Sequence, residues 1–142
     1  MKNVLLYSIL SLLLCNCGDK RTTVSTTEAP APVGPYSQAV LIHDRLYVSG
    51  QIGWKADGTA DTATIEGETQ RVLENIKAVL QAGGKTMADV SKVTIYCTDL
   101  KNFAKINGVY SSYFSSAPPA RETVQVCALP KNAHVEISAI AD

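Results

Sequence analysis

The chain predicts an α+β domain: a mixed β-sheet with two helices packed on one face. Three observations lead there. From about Thr64 to Ala82, the apolar residues Ile65, Val72, Leu73, Ile76, Val79 and Leu80 recur at helical spacing, and Gly83-Gly84 follows. Near the C-terminus two runs alternate with period two. In one, Val124 and Val126 oppose Arg121, Thr123 and Gln125; in the other, Val135, Ile137 and Ala139 oppose Glu136 and Ser138. The whole order reads β-β-α-β-α-β-β, which places helices on one side of a sheet. A chain of 142 residues fits one such domain.

The elements follow in order. Pro30 to Pro35 is stiff and extended, with Gly34 allowing a turn. Ser37 to Ile42 and Leu46 to Ser49 read as strands joined at His43-Asp44-Arg45. Gly50, in Ser49-Gly50-Gln51, leaves room for a ligand to approach the backbone. Trp54 to Thr62 is a turn-rich loop without calcium-loop spacing. The first helix carries Glu66, Glu68, Glu74 and Lys77 on its polar side. Val90 to Cys97 alternates as a strand, with Val93, Ile95 and Cys97 opposing Lys92, Thr94 and Tyr96. Asp99 can cap a second helix over about Lys101 to Ser115, whose apolar face is Phe103, Ile106, Tyr110, Tyr113 and Phe114. Pro118-Pro119 stops it. The break at Leu129-Pro130-Lys131-Asn132 between the last two runs suggests a hairpin, with Arg121 and Glu136 on one sheet face. Paired opposite Gln125, Glu136 would still lie roughly 13 Å from Arg121 at strand rise. The two long side chains would then lean together, the register would differ, or a neighbouring subunit would contribute.

The formal net charge is zero and no basic cluster occurs. That argues against binding a phosphate backbone, which requires several Lys or Arg on one surface. Residues 1–17 read as a lipoprotein-like signal: Lys2, an apolar stretch from Val4 to Leu14, then Cys15-Asn16-Cys17. Cys17 is the favoured lipidation site, with Leu14 three residues before it, and Cys15 is the alternative. This address implies the cell envelope or periplasm; an uncleaved cytoplasmic N-terminus is the other reading. Residues 18–29, rich in Ser and Thr, are expected to be a flexible tether, and 30–142 the folded domain. Of the four cysteines, Cys97 and Cys127 lie in strand-like runs. Both are expected to be buried small hydrophobes, with a disulfide between them the alternative. His43 and His134 have no partners at metal-ligand spacing and read as surface residues.

Gly34-Pro35-Tyr36-Ser37-Gln38-Ala39, Ser49-Gly50-Gln51-Ile52-Gly53, Asn107 ahead of Tyr110 and Phe114, Pro119-Ala120-Arg121, Leu129-Pro130 and Val135-Glu136-Ile137 occur in series. Together they resemble the RidA (YjgF) family of imine deaminases, from about Ala31 to Ala141. The resemblance implies a chorismate-mutase-like fold assembled as a homotrimer, with sites in the clefts between subunits. It also implies hydrolysis of 2-imino acids to 2-keto acids and ammonia, with neither metal nor organic cofactor. Carried over onto matching positions, Arg121 would anchor the substrate carboxylate through its planar fork. Glu136 would position the attacking water and move protons. Tyr36, Gly50 and Asn107 would line the cleft, and Thr123 stands where the best-known deaminase members carry a Cys. The competing expectation is a non-catalytic, exported member of the same fold that binds a small carboxylate or acts as a chaperone-like protein.

Overall fold

The computed structural model describes residues 21–142; the signal and lipidation site expected at Cys17 or Cys15 lie outside the described residues. Six strands form one mixed sheet: β1 (Arg21–Val24), β2 (Ala39–Ile42), β3 (Arg45–Ile52), β4 (Val90–Cys97), β5 (Ala120–Gln125) and β6 (Val135–Ala141). Their order across the sheet is β1-β2-β3-β6-β4-β5, and β4–β5 is the parallel pair. Helices α1 (Ile65–Ala82) and α2 (Phe103–Tyr113) pack together, and α1 packs on β3 and β6.

Sequence chemistry accounts for the elements. Thr64 caps α1 by accepting from the Gly67 amide, and Gly84 adopts φ +76° just past its end. Asp99 caps as expected, but it caps a 3₁₀ turn, Leu100–Asn102, that leads into α2. Leu46, Val48, Ile95 and Ile137 from the sheet meet Leu73, Ile76 and Leu80 of α1 in one core, joined by Ile106 of α2.

Four expectations change. The tether expected over residues 18–29 carries a strand: Thr22-Thr23-Val24 is β-branched, pairs with β2, and buries Val24. The C-terminal hairpin does not form, because β4 lies between β5 and β6. Cys127 is exposed while Cys97 is buried, and both are free thiols. Glu68, assigned by periodicity to the polar side of α1, is wholly buried. Its carboxylate accepts from the backbone N–H of His134 (2.7 Å) and of Val135 (3.2 Å), with the His134 Nδ1 at 2.9 Å. A buried acid is tolerated when its oxygens are satisfied in this way.

Candidate functional site

The sequence-selected residues gather into two groups on opposite faces of the sheet. Arg121 pairs in register with Val93, whose side chain enters the core, so Arg121 faces the helices. Glu136 pairs with Tyr96, three residues along β4, and so faces away from them. The expectation of one face carrying both groups is therefore overturned. Alternation within β5 holds, but its sense is reversed: Val124 is 44% exposed, while Arg121 and Thr123 lie half-buried on the helix side.

The aromatic face of α2 explains that reversal. The Arg121 guanidinium lies 4.6 Å from the Tyr110 ring centroid and 5.8 Å from that of Phe103. A weakly hydrated planar cation is favoured over such rings. Asn107 shares this helix face by its spacing of four from Phe103 and three from Tyr110. Its Oδ1 and the Tyr110 hydroxyl are buried without a hydrogen-bond partner. Thr123, two residues beyond Arg121, lies on the same strand face. One group thus contains Arg121, Thr123, Asn107 and their aromatic platform.

The other group surrounds Glu136. A cavity of about 380 Å³ is lined by Glu136, Gly50, Ser49, Tyr36, Val33 and Lys131, among others. A bulge in β3 builds it. Val48 faces Ala139 and Gln51 faces Ile137, so β3 spends one residue more than β6 on the same span. At Gly50 an added Cβ would lie 1.9 Å from Glu136 Oε1, so the carboxylate occupies the space of the missing side chain. Burial pushes the Glu136 carboxyl above its ordinary range.

Tyr36 is half-exposed, and its hydroxyl accepts from the Val33 amide at 3.4 Å. The segment that brings both to the cavity is fixed by buried Gln38. Its Nε2 donates to the Pro30 (2.8 Å) and Ala29 (3.2 Å) carbonyls, and its Oε1 accepts from the Thr26 amide at 2.6 Å. Periodicity could not single out Gln38, which sits at the start of a strand with no charge to mark it. Lys131 was also missed, because its Leu-Pro-Lys-Asn setting read only as a break. Its ammonium lies 3.9 Å from the Trp54 ring centroid. Phe103 and Tyr110 were legible as an apolar helix face, and Arg121 is what that face holds. His134 is exposed as expected but has the Glu68 partner described above. Among the described residues no group of three or more His, Cys, Asp or Glu could hold a metal ion.

Comparison with known proteins places this geometry in a family. The endoribonuclease L-PSP family model matches residues 26–142. The 2-iminobutanoate/2-iminopropanoate deaminase of Bos taurus is 44% identical over 122 residues, covering 85% of this chain and 89% of its own. The crystal structure of RidA from an Antarctic Psychrobacter superposes with a TM-score of 0.82 at 41% identity, over 84% of this chain and 98% of that one. E. coli TdcF, solved with bound serine, gives a TM-score of 0.81 at 38% identity, over 84% and 97% of the two chains. Coverage of nearly the whole described sheet and both helices leaves one conclusion: the chain belongs to the endoribonuclease L-PSP family, the group that includes the RidA proteins.

Proposed function

We propose that the protein hydrolyses 2-imino acids to 2-keto acids and ammonia at a site shared between copies of the chain. The observation that carries this reading is Glu136: a carboxylate of raised pKa with no hydrogen-bonding partner among the described residues, set in a cavity beside Tyr36 and Gly50. Relatives named as 2-iminobutanoate/2-iminopropanoate deaminases at 44–47% identity support the substrate class.

In this mechanism Arg121 of a neighbouring copy receives the substrate carboxylate, since a bidentate guanidinium holds it in one orientation. Asn107 and Thr123 accompany Arg121 at the cleft, and Tyr36 and Gly50 line the opposite wall. Glu136 accepts a proton from water as the water oxygen bonds to the electrophilic imine carbon. The proton passes to the amine nitrogen of the resulting carbinolamine. The C–N bond then breaks as the hydroxyl oxygen becomes the carbonyl and gives its proton to the Glu136 carboxylate; ammonia leaves, and the keto acid remains. Burial, by raising the Glu136 pKa, makes the carboxylate a better acceptor for the proton of the attacking water, which it then passes to nitrogen. Thr123 in place of a thiol is compatible with this route, because water is the nucleophile.

A homotrimer is the assembly we infer. The open sheet face exposes Tyr47 (40%) and Val124 (44%), and a second copy seated there would cover them. A ribonuclease activity is not favoured, for a neutral chain without a basic cluster offers no track for phosphates. The second reading is a non-catalytic binder of small carboxylates, favoured by the serine bound in E. coli TdcF. We further propose an envelope location through a lipidated Cys17, checked by the intact mass of membrane-extracted protein.

The deciding experiment generates 2-iminobutanoate and 2-iminopropanoate in situ and follows keto-acid release by the purified protein. Acceleration abolished by Arg121→Ala is the expected result. A folded, assembled protein with no acceleration would leave the binding role.

A further inference from the structure

We propose that Lys131 and Trp54 form a second anion-binding subsite beside Glu136, selecting 2-imino acids whose side chain ends in a carboxylate. The inference rests on the deaminase reading for its reaction, but the subsite itself is a matter of binding.

Lys131 lines the same cavity as Glu136, Tyr36 and Gly50. It is the one cationic residue on that lining. Among the described residues, its ammonium has no carboxylate within ion-pair distance. What it has is the face of Trp54, 3.9 Å from ring centroid to nitrogen. A ring face orients an ammonium without neutralising it, and the remaining N–H donors stay available. The cavity therefore presents a held positive charge that no carboxylate pairs with, although Glu136 lies on the same lining. Glu136 does not serve as its anion, for no ion pair joins the two side chains.

The support around Lys131 is built with some care. Lys131 and Asn132 both adopt left-handed backbone, with φ 55° and 56°. Two successive non-glycine residues in that region are uncommon and cost energy, which is a reason to look for function there. The far end of the turn is clamped, since Ala133 is buried and Glu68 holds the next two amides. The backbone that carries the partner ring is clamped as well. Asn75 of α1, buried itself, donates to the Trp54 carbonyl at 2.8 Å and to that of Ile52 at 3.1 Å. Trp54 and Lys131 also border a smaller cavity of about 40 Å³ that shares Tyr36 and Gly50 with the first. The indole Nε1 is buried without an acceptor. A buried N–H donor is normally paired, so this one is an exception that the protein's own groups leave unsatisfied.

In the shared site the neighbouring Arg121 takes the carboxylate next to the imine carbon. Lys131 then faces the rest of the substrate. A second carboxylate two or three bonds further on could pair with the Lys131 ammonium, whereas an alkyl side chain would leave that ammonium unanswered.

The test compares the full protein with Lys131→Met, Lys131→Arg and Trp54→Leu on two imines made in situ by amino-acid oxidases. One is 2-iminoglutarate from glutamate; the other is 2-iminobutanoate from 2-aminobutanoate. The wild type is expected to favour the dicarboxylate in kcat/KM by about tenfold, the worth of one charged hydrogen bond. Lys131→Met should erase that ratio, Lys131→Arg should keep most of it, and Trp54→Leu should reduce it. A wild type without the preference overturns the proposal. So does a Lys131→Met protein that loses both substrates equally, for Lys131 would then hold the carboxylate common to them. If neither imine is turned over, the deaminase reading fails and calorimetry still decides the subsite. Tighter binding of 2-oxoglutarate than 2-oxobutanoate, lost in Lys131→Met, upholds it, and equal binding overturns it.

Discussion

Arg121 and Glu136 stand two strands apart on opposite faces of one sheet, Arg121 in register with Val93 and Glu136 with Tyr96 of the intervening β4. No rotamer change can bring both into contact with one small molecule in a single copy, because the sheet itself lies between them. A shared site follows, and it can be tested by complementation. Arg121→Ala and Glu136→Gln are each expected to retain about a hundredth of wild-type activity or less. Co-expressed at equal levels, they should regain about a quarter of wild-type turnover if each site in a cyclic oligomer takes one residue from either neighbour. No recovery from mixed oligomers would mean that the two residues do not serve one site.

Arg121→Lys should not rescue the anchor. The aromatic platform of Tyr110 and Phe103 suits a flat guanidinium, and an ammonium cannot present a planar fork to a carboxylate. We expect kcat/KM on 2-iminobutanoate to fall about a hundredfold in Arg121→Ala and by at least tenfold in Arg121→Lys. The steady-state rate of keto-acid release is the measurement.

The platform itself is open to test. Tyr110→Leu removes one aromatic face and should raise KM by roughly two- to thirtyfold, the range of a cation–π contact. Tyr110→Phe keeps the ring and removes a hydroxyl that is buried without a partner, so it should rescue KM. A change in kcat alone, with KM unmoved, would argue that Tyr110 does not act through Arg121.

Glu136 makes a prediction about stability and pH. Burial raises its folded-state pKa above the unfolded value, so the folded protein holds the proton more tightly. Its contribution is fully present below the ordinary glutamate range and is lost as pH rises through the raised folded value. Glu136→Gln removes the ionisation and should therefore gain stability relative to wild type as pH climbs through that window. Denaturant midpoints measured from pH 4 to pH 8, a range bracketing the ordinary carboxylate pKa of about 4.3, would reveal it. A constant difference across the series would mean that Glu136 ionises freely.

Glu68 should be a stability residue. Glu68→Ala orphans the buried amide of Val135, at about 1–3 kcal/mol, and the part-buried amide of His134 at less. Glu68→Gln keeps an acceptor for them and should cost far less. Urea midpoints would rank the two variants.

Much of this was legible in the sequence. Helical spacing from Ile65 to Leu80 and alternation from Val90 to Cys97 are signals that a core enforces directly, and the structure follows both. The residues of the site were legible only through resemblance, since nothing in Arg121 or Glu136 alone separates a binding group from a solvated one. Facing went astray where tertiary contacts outweigh local pattern. Val124 had the hydrophobicity to point inward, but Arg121 found two rings on α2 and took the inner side. The hairpin failed because a turn signal such as Pro130-Lys131-Asn132 marks where the chain bends, not which strand it joins. Glu68 misled because a carboxylate on a helix is ordinarily exposed, and its partners are backbone amides invisible to sequence pattern.

The missing side chain at Gly50 constrains how this protein can change. Any residue with a Cβ there would collide with the Glu136 carboxylate, so a substitution at 50 is also a perturbation of 136. The two positions therefore share one mutational fate, and their effects should be strongly non-additive. An alanine at 50 therefore requires the Glu136 side chain to leave the space it now occupies. Every larger residue at 50 thus displaces the carboxylate from its present place in the cavity.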